Sequence, residues 1–297
     1  MRFLSFFGTF RAAWRDYRAE PNTLLGQRYL IKSLIGEGSY GLTYLGIDRT
    51  DERLVAIKQA RPSKGSLARQ LLEREARILR SLDHPRLPAF KEMLTIGRQA
   101  YLVMSVLEGE TLEDLIFEQE RRFGEADCAR ITLQLLELVR YIHQQGIVHL
   151  DLRIPNLLMH EGELSIIDFG LARAVGEAPF SIPSFRSSHR KTVADLEASR
   201  LASPAEPQSD LLDVGHFMLF LLYSTFESPR PALNAKEQSW QEELALSPHL
   251  IEIIERLLGL RDPYTDASDA IEALRAFLSP SVDRPVSFAS NNEYNRM

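Results

Sequence analysis

The chain has 297 residues, of which 44% are hydrophobic and 26% are charged, a composition typical of soluble globular proteins. The net charge of -6 excludes the basic field of a general nucleic-acid binder, so we expect no nucleic-acid partner. Cys128 is the only cysteine, which excludes an internal disulfide and favours a reducing, cytoplasmic location. All apolar runs are shorter than the roughly 18 residues that cross a bilayer.

Residues 1–20 are predicted to form an amphipathic helix. One face carries aromatic side chains at intervals of three and four residues, namely Phe3, Phe7, Phe10, Trp14 and Tyr17. Arginines surround this face. The helix either docks on the main domain or a partner, or lies on an anionic membrane surface, which would make the protein peripheral at the membrane. With a linker it forms the first predicted segment, residues 1–27.

Residues 28–107 are mainly strand-like. Short β-branched or aromatic segments bounded by turn residues predict strands at Tyr29–Ile35, Leu42–Ile47, Leu54–Gln59 and Ala100–Val106. One helix interrupts them, from about Leu67 to Leu82. This part of the sequence predicts an antiparallel sheet with a single important helix.

Residues 108–279 are mainly helical. Apolar residues at helical spacing predict helices at Glu125–Gln144, Leu211–Phe226, Pro248–Leu258 and Ala267–Leu278. A strand-rich half followed by a helical half predicts an α+β chain with two lobes, 28–107 and 108–279. Residues 280–297 are polar and show no periodicity, so we expect a flexible tail.

Gly36, Gly38 and Gly41 lie in a turn between two predicted strands. Glycines allow backbone N–H groups to approach phosphate oxygens because no Cβ is in the way. A simple hairpin is the alternative. A dinucleotide-binding unit would need a helix after these glycines, and here a strand follows.

Lys58 ends the apolar run Val55–Lys58, where burial of its charge requires a partner. Glu75, 17 residues later in the predicted helix, is suited to that role. The pair would hold Lys58 against α- and β-phosphate oxygens. Alternatively, both side chains are ordinary surface charges.

Three polar residues follow the long helix. Asp168 can bind Mg²⁺ through its carboxylate and Asn156 through its amide oxygen, because Mg²⁺ prefers hard oxygen ligands. Asp151 is placed to orient a substrate hydroxyl and accept its proton. Turn formation is the alternative role for all three.

These motifs, in this order, resemble those of eukaryotic-type serine/threonine protein kinases, including bacterial members. The resemblance covers about residues 28–279. It implies a bilobal protein-kinase-like fold that binds ATP and Mg²⁺ and acts on a protein substrate. It also implies that adenine is surrounded by Ala56, Met104, Leu107 and Leu158.

The resemblance further implies a stack of regulatory side chains that joins the two lobes. Its members would be Leu79, Phe90, His149 and Phe169. Asp210 would anchor this stack from the helical lobe.

The sequence departs from the family at two positions in the catalytic loop. Leu150 replaces the arginine that binds an activation-segment phosphate in many members, and leucine cannot bind phosphate. Activity is therefore expected to be independent of phosphorylation in that segment. Arg153 replaces the usual lysine and keeps the positive charge that can face the γ-phosphate.

The segment after Asp168 lacks the family's Ala-Pro-Glu triplet. Asp195–Glu197 is the best positional match, because Pro204–Glu206 leaves little chain before Asp210. Asp266 occupies the position where we expect the arginine that pairs with the glutamate of this triplet. The substrate-docking region is therefore unusual.

Three functions are compatible with these residues. The chain is predicted to be a serine/threonine protein kinase in which Lys58, Glu75, Asp151 and Arg153 are catalytic. The alternatives are a catalytically weak ATP-binding scaffold and a kinase of small molecules. The complete set of phosphate- and metal-facing residues disfavours the scaffold.

Overall fold

The computed structural model describes residues 16, 18–179, 201–202, 204–226 and 238–279. These residues form a sheet-rich half and a mainly helical half, which confirms the predicted α+β class with two lobes. Within this part of the chain, no helix is long and apolar enough to cross a membrane. The predicted aromatic helix face and the predicted tail lie outside the described residues.

The strands of the described residues are short, and most lie in the first half of the chain. In chain order they are β1 Leu24–Leu25, β2 Tyr29–Glu37, β3 Gly41–Asp48, β4 Arg53–Ala60, β5 Phe90–Ile96, β6 Gln99–Ser105, β7 Glu110–Thr111, β8 Ile147–Val148, β9 Leu157–His160, β10 Glu163–Ile166 and β11 Arg173–Ala174.

The helices of the described residues lie mainly in the second half. They are α1 Gly65–Ser81, α2 Leu112–Phe117, α3 Glu125–Gln144, α4 Pro207–Tyr223, α5 Trp240–Glu243, α6 Pro248–Leu257 and α7 Ala267–Leu278. Two 3₁₀ turns, Pro62–Lys64 and Ile154–Asn156, connect longer elements.

The first lobe is an antiparallel sheet in the order β1-β2-β3-β4-β6-β5. One face buries Tyr44, Ile57 and Val103 among other apolar side chains. The opposite face buries Ala56 and Met104, in the same apolar cluster as residues of α1. The alternation of strand side chains between the two faces therefore gives the sheet an outer core and an inner core.

The sheet begins earlier than the sequence predicted. Leu24 and Leu25 pair with β2, so the first lobe includes residues before the expected boundary at residue 28. Arg18–Glu20 are not helical.

Helix α3 lies at the centre of the second lobe and contacts α4 and α7. Its bounds agree with the prediction, and Gly146 follows it with a φ of 71°, a left-handed conformation that ends helices readily. Cys128 is buried within α3, and this burial raises the pKa of its thiol to about 12. It is therefore a packing residue.

The helices predicted at 67–82, 211–226, 248–258 and 267–278 are also confirmed, with boundary shifts of up to four residues. The sequence did not predict several elements, among them β5, α2 and β9. A strand of four residues and a helix of six carry too few periods for a sequence pattern to reveal them.

Candidate active site

A buried ammonium group links the two lobes. Lys58 Nζ in β4 lies 2.9 and 2.8 Å from the two carboxylate oxygens of Glu75 in α1. The same nitrogen lies 2.7 Å from Oδ1 of Asp168, which follows β10 in the second lobe. The predicted ion pair of Lys58 with Glu75 is confirmed, and it includes a third member.

One positive charge thus faces two carboxylates, and the three groups do not titrate alike. Burial opposes the charge of Lys58, but Asp168 and Glu75 outweigh it and raise the pKa of Lys58. Burial raises the pKa of Glu75 to about 7, although Lys58 opposes that shift. For Asp168 burial also acts to raise the pKa, but Lys58 outweighs it and the pKa lies below its ordinary value. A further cation would stabilise this acidic cluster.

The backbone that follows Asp168 packs closely against the charged side chains of the site. Asp168 has a φ of 63°, and the N–H of Gly170 donates to its Oδ1 at 2.9 Å. A Cβ atom on Gly170 would lie 2.9 Å from that oxygen and 3.4 Å from Lys58 Nζ. Glycine is therefore required here, since any side chain would push against the charged cluster.

Asp151, Arg153 and Asn156 form a second polar group. Arg153 donates from Nε and Nη2 to the two oxygens of Asp151, at 2.6 and 3.0 Å. The Asn156 amide donates to Asp151 Oδ2 and to the Asp151 carbonyl, both at 2.9 Å. The predicted catalytic loop is compact, and Arg153 contacts Asp151, which the sequence did not reveal.

A backbone hydrogen bond connects this loop with the strand before Asp168. The N–H of Ile167 donates to the carbonyl of Asn156 at 2.9 Å. Asn156 supplies the acceptor of this bond, and Asp168 directly follows its donor. The bond therefore holds the two predicted metal ligands near each other.

Leu150 has a φ of 65° and is buried with Val148, Ala205 and the partly buried Leu171. Its N–H donates to Asp210 Oδ1 at 2.7 Å, and the N–H of His149 donates to Oδ2 at 2.8 Å. Asp210 lies in α4, as the anchoring role requires. This leucine makes an apolar contact at the position where the resemblance implies an arginine.

His149 also contacts the Asp168 region. Its ring packs edge-to-face on Phe169, with centroids 4.8 Å apart. Both ring nitrogens are buried and find no hydrogen-bond partner among the described residues. Burial lowers the pKa of His149, so the ring serves as a neutral packing group.

Of the three predicted phosphate-facing glycines, Gly41 lies beside Lys58. Gly36 is the last residue but one of β2, Gly41 begins β3, and the N–H of Gly38 donates to the Gly41 carbonyl at 2.9 Å. A Cβ atom on Gly41 would lie 3.1 Å from Lys58 Cε. The start of β3, where the turn ends, therefore packs directly on the lysine side chain.

The predicted adenine-facing residues lie on two sides of the lobe boundary. Ala56 of β4 pairs directly with Met104 of β6, and both are buried. Leu107 is partly buried just after β6, and Leu158 is buried in β9.

The sequence did not predict two groups of contacts between charged residues. Glu177 Oε1 lies 3.5 Å from Nε of the buried Arg74 and 3.9 Å from Nη2 of Arg77, both in α1. Glu37, between two of the glycines, contacts Arg18 and Arg61. Contacts between residues so far apart in the chain leave no periodic signal.

Comparisons with known proteins agree with this geometry. The protein kinase domain family matches residues 29–193. The probable serine/threonine-protein kinase YbdM of Bacillus subtilis is 32% identical over 261 residues, which cover 87% of this chain and 93% of that protein. Serine/threonine-protein kinase B of Synechocystis is 27% identical over 84% of this chain and 46% of its own length. Serine/threonine-protein kinase dkf-2 of Caenorhabditis briggsae is 33% identical over 66% of this chain, but only 16% of its own length.

Proposed function

Because the chain belongs to the protein kinase family, we propose that it transfers the γ-phosphoryl group of ATP to serine or threonine hydroxyls of proteins. The observation that carries this proposal is the buried Lys58 ammonium, held between Glu75 and Asp168. A buried ion cluster contributes little net stability, because desolvation of the charges offsets their attraction, and this favours a functional role for the cation. We place this activity in the cytoplasm.

Lys58 would bind phosphate oxygens, and Glu75 would keep its ammonium in position. The backbone N–H groups of the turn Gly36–Gly41 would bind further phosphate oxygens. Ala56 and Met104, with Leu107 and Leu158, would enclose adenine.

The site also fits Mg²⁺. Asp168 and Asn156 offer a carboxylate and an amide oxygen, which suit a hard cation, and the cluster around Lys58 holds more carboxylates than ammonium groups. When bound, Mg²⁺ would offset negative charge on the phosphate oxygens. These two residues would hold it there.

Asp151 would orient the acceptor hydroxyl and accept its proton. A bond forms between the hydroxyl oxygen and the γ-phosphorus while the bond to the β,γ-bridging oxygen breaks, so ADP leaves. Arg153, which donates to Asp151 in this structure, would offset charge on the moving phosphoryl group. Positioning and charge stabilisation would supply most of the acceleration.

The decisive experiment compares wild type with Asp168→Asn. Each protein is incubated with Mg²⁺, γ-labelled ATP and casein, and label on casein and on the protein itself is measured. We expect transfer by wild type and a loss of about tenfold or more in the variant, because one metal ligand loses its charge. Equal label with both proteins would exclude this site as the source of activity. ATP binding without transfer would favour the scaffold, and transfer to a small hydroxyl compound alone would favour the third function.

We also propose that activity is independent of phosphorylation in the activation segment. Leu150 is buried against Ala205, so this position has an apolar contact in place of a phosphate-binding arginine. Glu177 already places a carboxylate against α1 at Arg74, a buried arginine whose pKa burial lowers to about 10. A permanent carboxylate would thus replace a phosphate between the segment and the helix.

Simultaneous replacement of Ser181, Ser184, Ser187, Ser188 and Thr192 by Ala is expected to leave at least about half of the activity, because none of them needs to carry phosphate. Glu177→Gln is expected to lower activity about fivefold, because Arg74 loses a partly buried anionic partner. Both are read as initial rates of casein phosphorylation. The opposite order of effects would show that the segment is activated by phosphorylation.

A further inference from the structure

Residues that precede the family match contact the sheet near the proposed ATP site. The match begins at residue 29, yet Asp16, Arg18 and Ala19 all make polar contacts with the first lobe. We refer to Asp16, Arg18 and Ala19 as the strap. Its contacts converge on two places that flank Lys58.

The first place is the connection between Lys58 and Glu75. Asp16 accepts hydrogen bonds from the N–H and hydroxyl of Ser63, at 2.8 and 2.7 Å. Its Oδ2 also lies 3.6 Å from Arg61 Nη1. The Asp16 side chain is only 12% exposed, so this contact is better shielded from solvent than a typical surface pair.

Ser63 belongs to the 3₁₀ turn Pro62–Lys64, which joins β4 to α1. A carboxylate that accepts from the N–H of such a turn satisfies one of its donors and restrains the chain that leads into the next helix. The position of α1 decides whether Glu75 reaches Lys58. Asp16 therefore influences the ion pair of Lys58 and Glu75 indirectly, through the position of α1.

The second place is the glycine turn. Glu37, between Gly36 and Gly38, accepts from Arg61 Nη2 at 2.7 Å and from Arg18 Nη2. The hydrogen bond from Arg61 lowers the pKa of Glu37 below its ordinary value. The N–H of Arg61 also donates to the Tyr40 carbonyl at 2.8 Å. Arg61 thus connects the tip of the turn with Asp16.

A third contact fixes the strap along the sheet. The N–H of Ala19 donates to the hydroxyl of the buried Tyr44 at 3.1 Å, and that hydroxyl donates to Gln59 next to Lys58. Burial raises the pKa of Tyr44, so its hydroxyl keeps its proton. This contact holds Asp16 and Arg18 at the level of the glycine turn.

We propose that Asp16 and Arg18 are positioning residues for the ATP phosphates. They act through Arg61, Ser63 and Glu37, and hold the glycine turn and the start of α1 in one arrangement. The proposal rests on the proposed function. It differs from a surface ion pair that only adds stability, because it requires coupling between the strap and the nucleotide.

The test measures binding of Mg²⁺ with the non-hydrolysable analogue adenylyl imidodiphosphate to full-length variants. Asp16→Ala is expected to raise Kd about fivefold, a typical coupling between two sites. Arg18→Gln is expected to raise it less, because its side chain is 61% exposed. Asp51→Ala and Arg53→Gln are matched controls, since they form an exposed pair on a turn of the same sheet, and Kd should not change.

A second measurement uses wild type alone. Coupling is reciprocal, so the bound analogue should slow hydrogen exchange of the Ser63 N–H, which donates to Asp16. The Arg53 N–H, which donates to Asp51, should exchange at an unchanged rate. This comparison also covers the case in which Asp16→Ala folds poorly.

The proposal would be overturned if all four variants had the same Kd as wild type and the exchange rate of the Ser63 N–H did not change when the analogue binds. Failure of wild type to bind the analogue would instead contradict the proposed function. Because binding is measured without phosphoryl transfer, a catalytically weak wild type does not interfere.

Discussion

Asp151→Asn is expected to lower kcat about 10³-fold, because general-base groups and the positioning they provide contribute on that scale. The amide can still occupy the site and receive one donor, but it cannot accept the hydroxyl proton or neutralise Arg153, which donates to both Asp151 oxygens. KM for ATP should change little, since Asp151 would act on the acceptor. Steady-state rates with casein at varied ATP concentrations test this.

Asp127→Asn is the matched control. Asp127 is an exposed carboxylate of the same lobe, also paired with an arginine, and its loss should leave kcat within about twofold of wild type. If Asp151→Asn were as active as this control, Asp151 would have no part in transfer.

Lys58→Met is expected to reduce kcat/KM for ATP about 10²-fold, because a charge that stabilises phosphate oxygens in a shielded site is removed. The same variant should be less stable than wild type, because Glu75 and Asp168 lose their shared cation. Methionine retains most of the volume of the lysine chain. Initial rates and thermal unfolding separate the two effects.

The pH dependence of stability provides a second test of the Lys58→Met prediction. The pKa of Glu75 in the fold is raised to about 7, so its folded form binds a proton more tightly than its unfolded form. The stabilisation linked to that proton is present at low pH and is lost as pH rises through about 7. Without Lys58 the pKa of Glu75 rises further, so the loss of Tm should be larger at pH 8 than at pH 5.

Two further variants complete this prediction. Lys58→Met with Glu75→Gln should recover part of the stability but none of the activity, since the buried charge is gone and the phosphate-binding group is still missing. Lys32→Met alters an exposed lysine of β2 and should affect neither quantity. Activity in the double variant would contradict the role of Lys58.

The sequence predicted the site well wherever a short motif determines local geometry. Lys58 at the end of an apolar strand required a buried partner, and Glu75 on the following helix is that partner. Helix α3 has the predicted bounds because its apolar residues repeat regularly over 20 residues. In these cases the signal lies within one continuous stretch of the sequence.

Contacts between distant segments were not predictable in this way. Nothing near Glu177 in the sequence indicates that it faces Arg74, because the contact depends on how α1 packs on the segment after Asp168. Asp16 likewise lies 47 residues from Ser63. Arg153 was assigned to the γ-phosphate on family grounds, and its pairing with Asp151 emerged only with side-chain geometry.

The buried single cysteine makes the chain well suited to site-directed labelling. Cys128 is fully buried, and this burial raises the pKa of its thiol to about 12, so we expect maleimide reagents to leave it unmodified in the native protein. A cysteine introduced at Ile35, which is 52% exposed one residue before Gly36, would then be the sole reactive thiol. A fluorophore there would report movement of the glycine turn without a cysteine-free background.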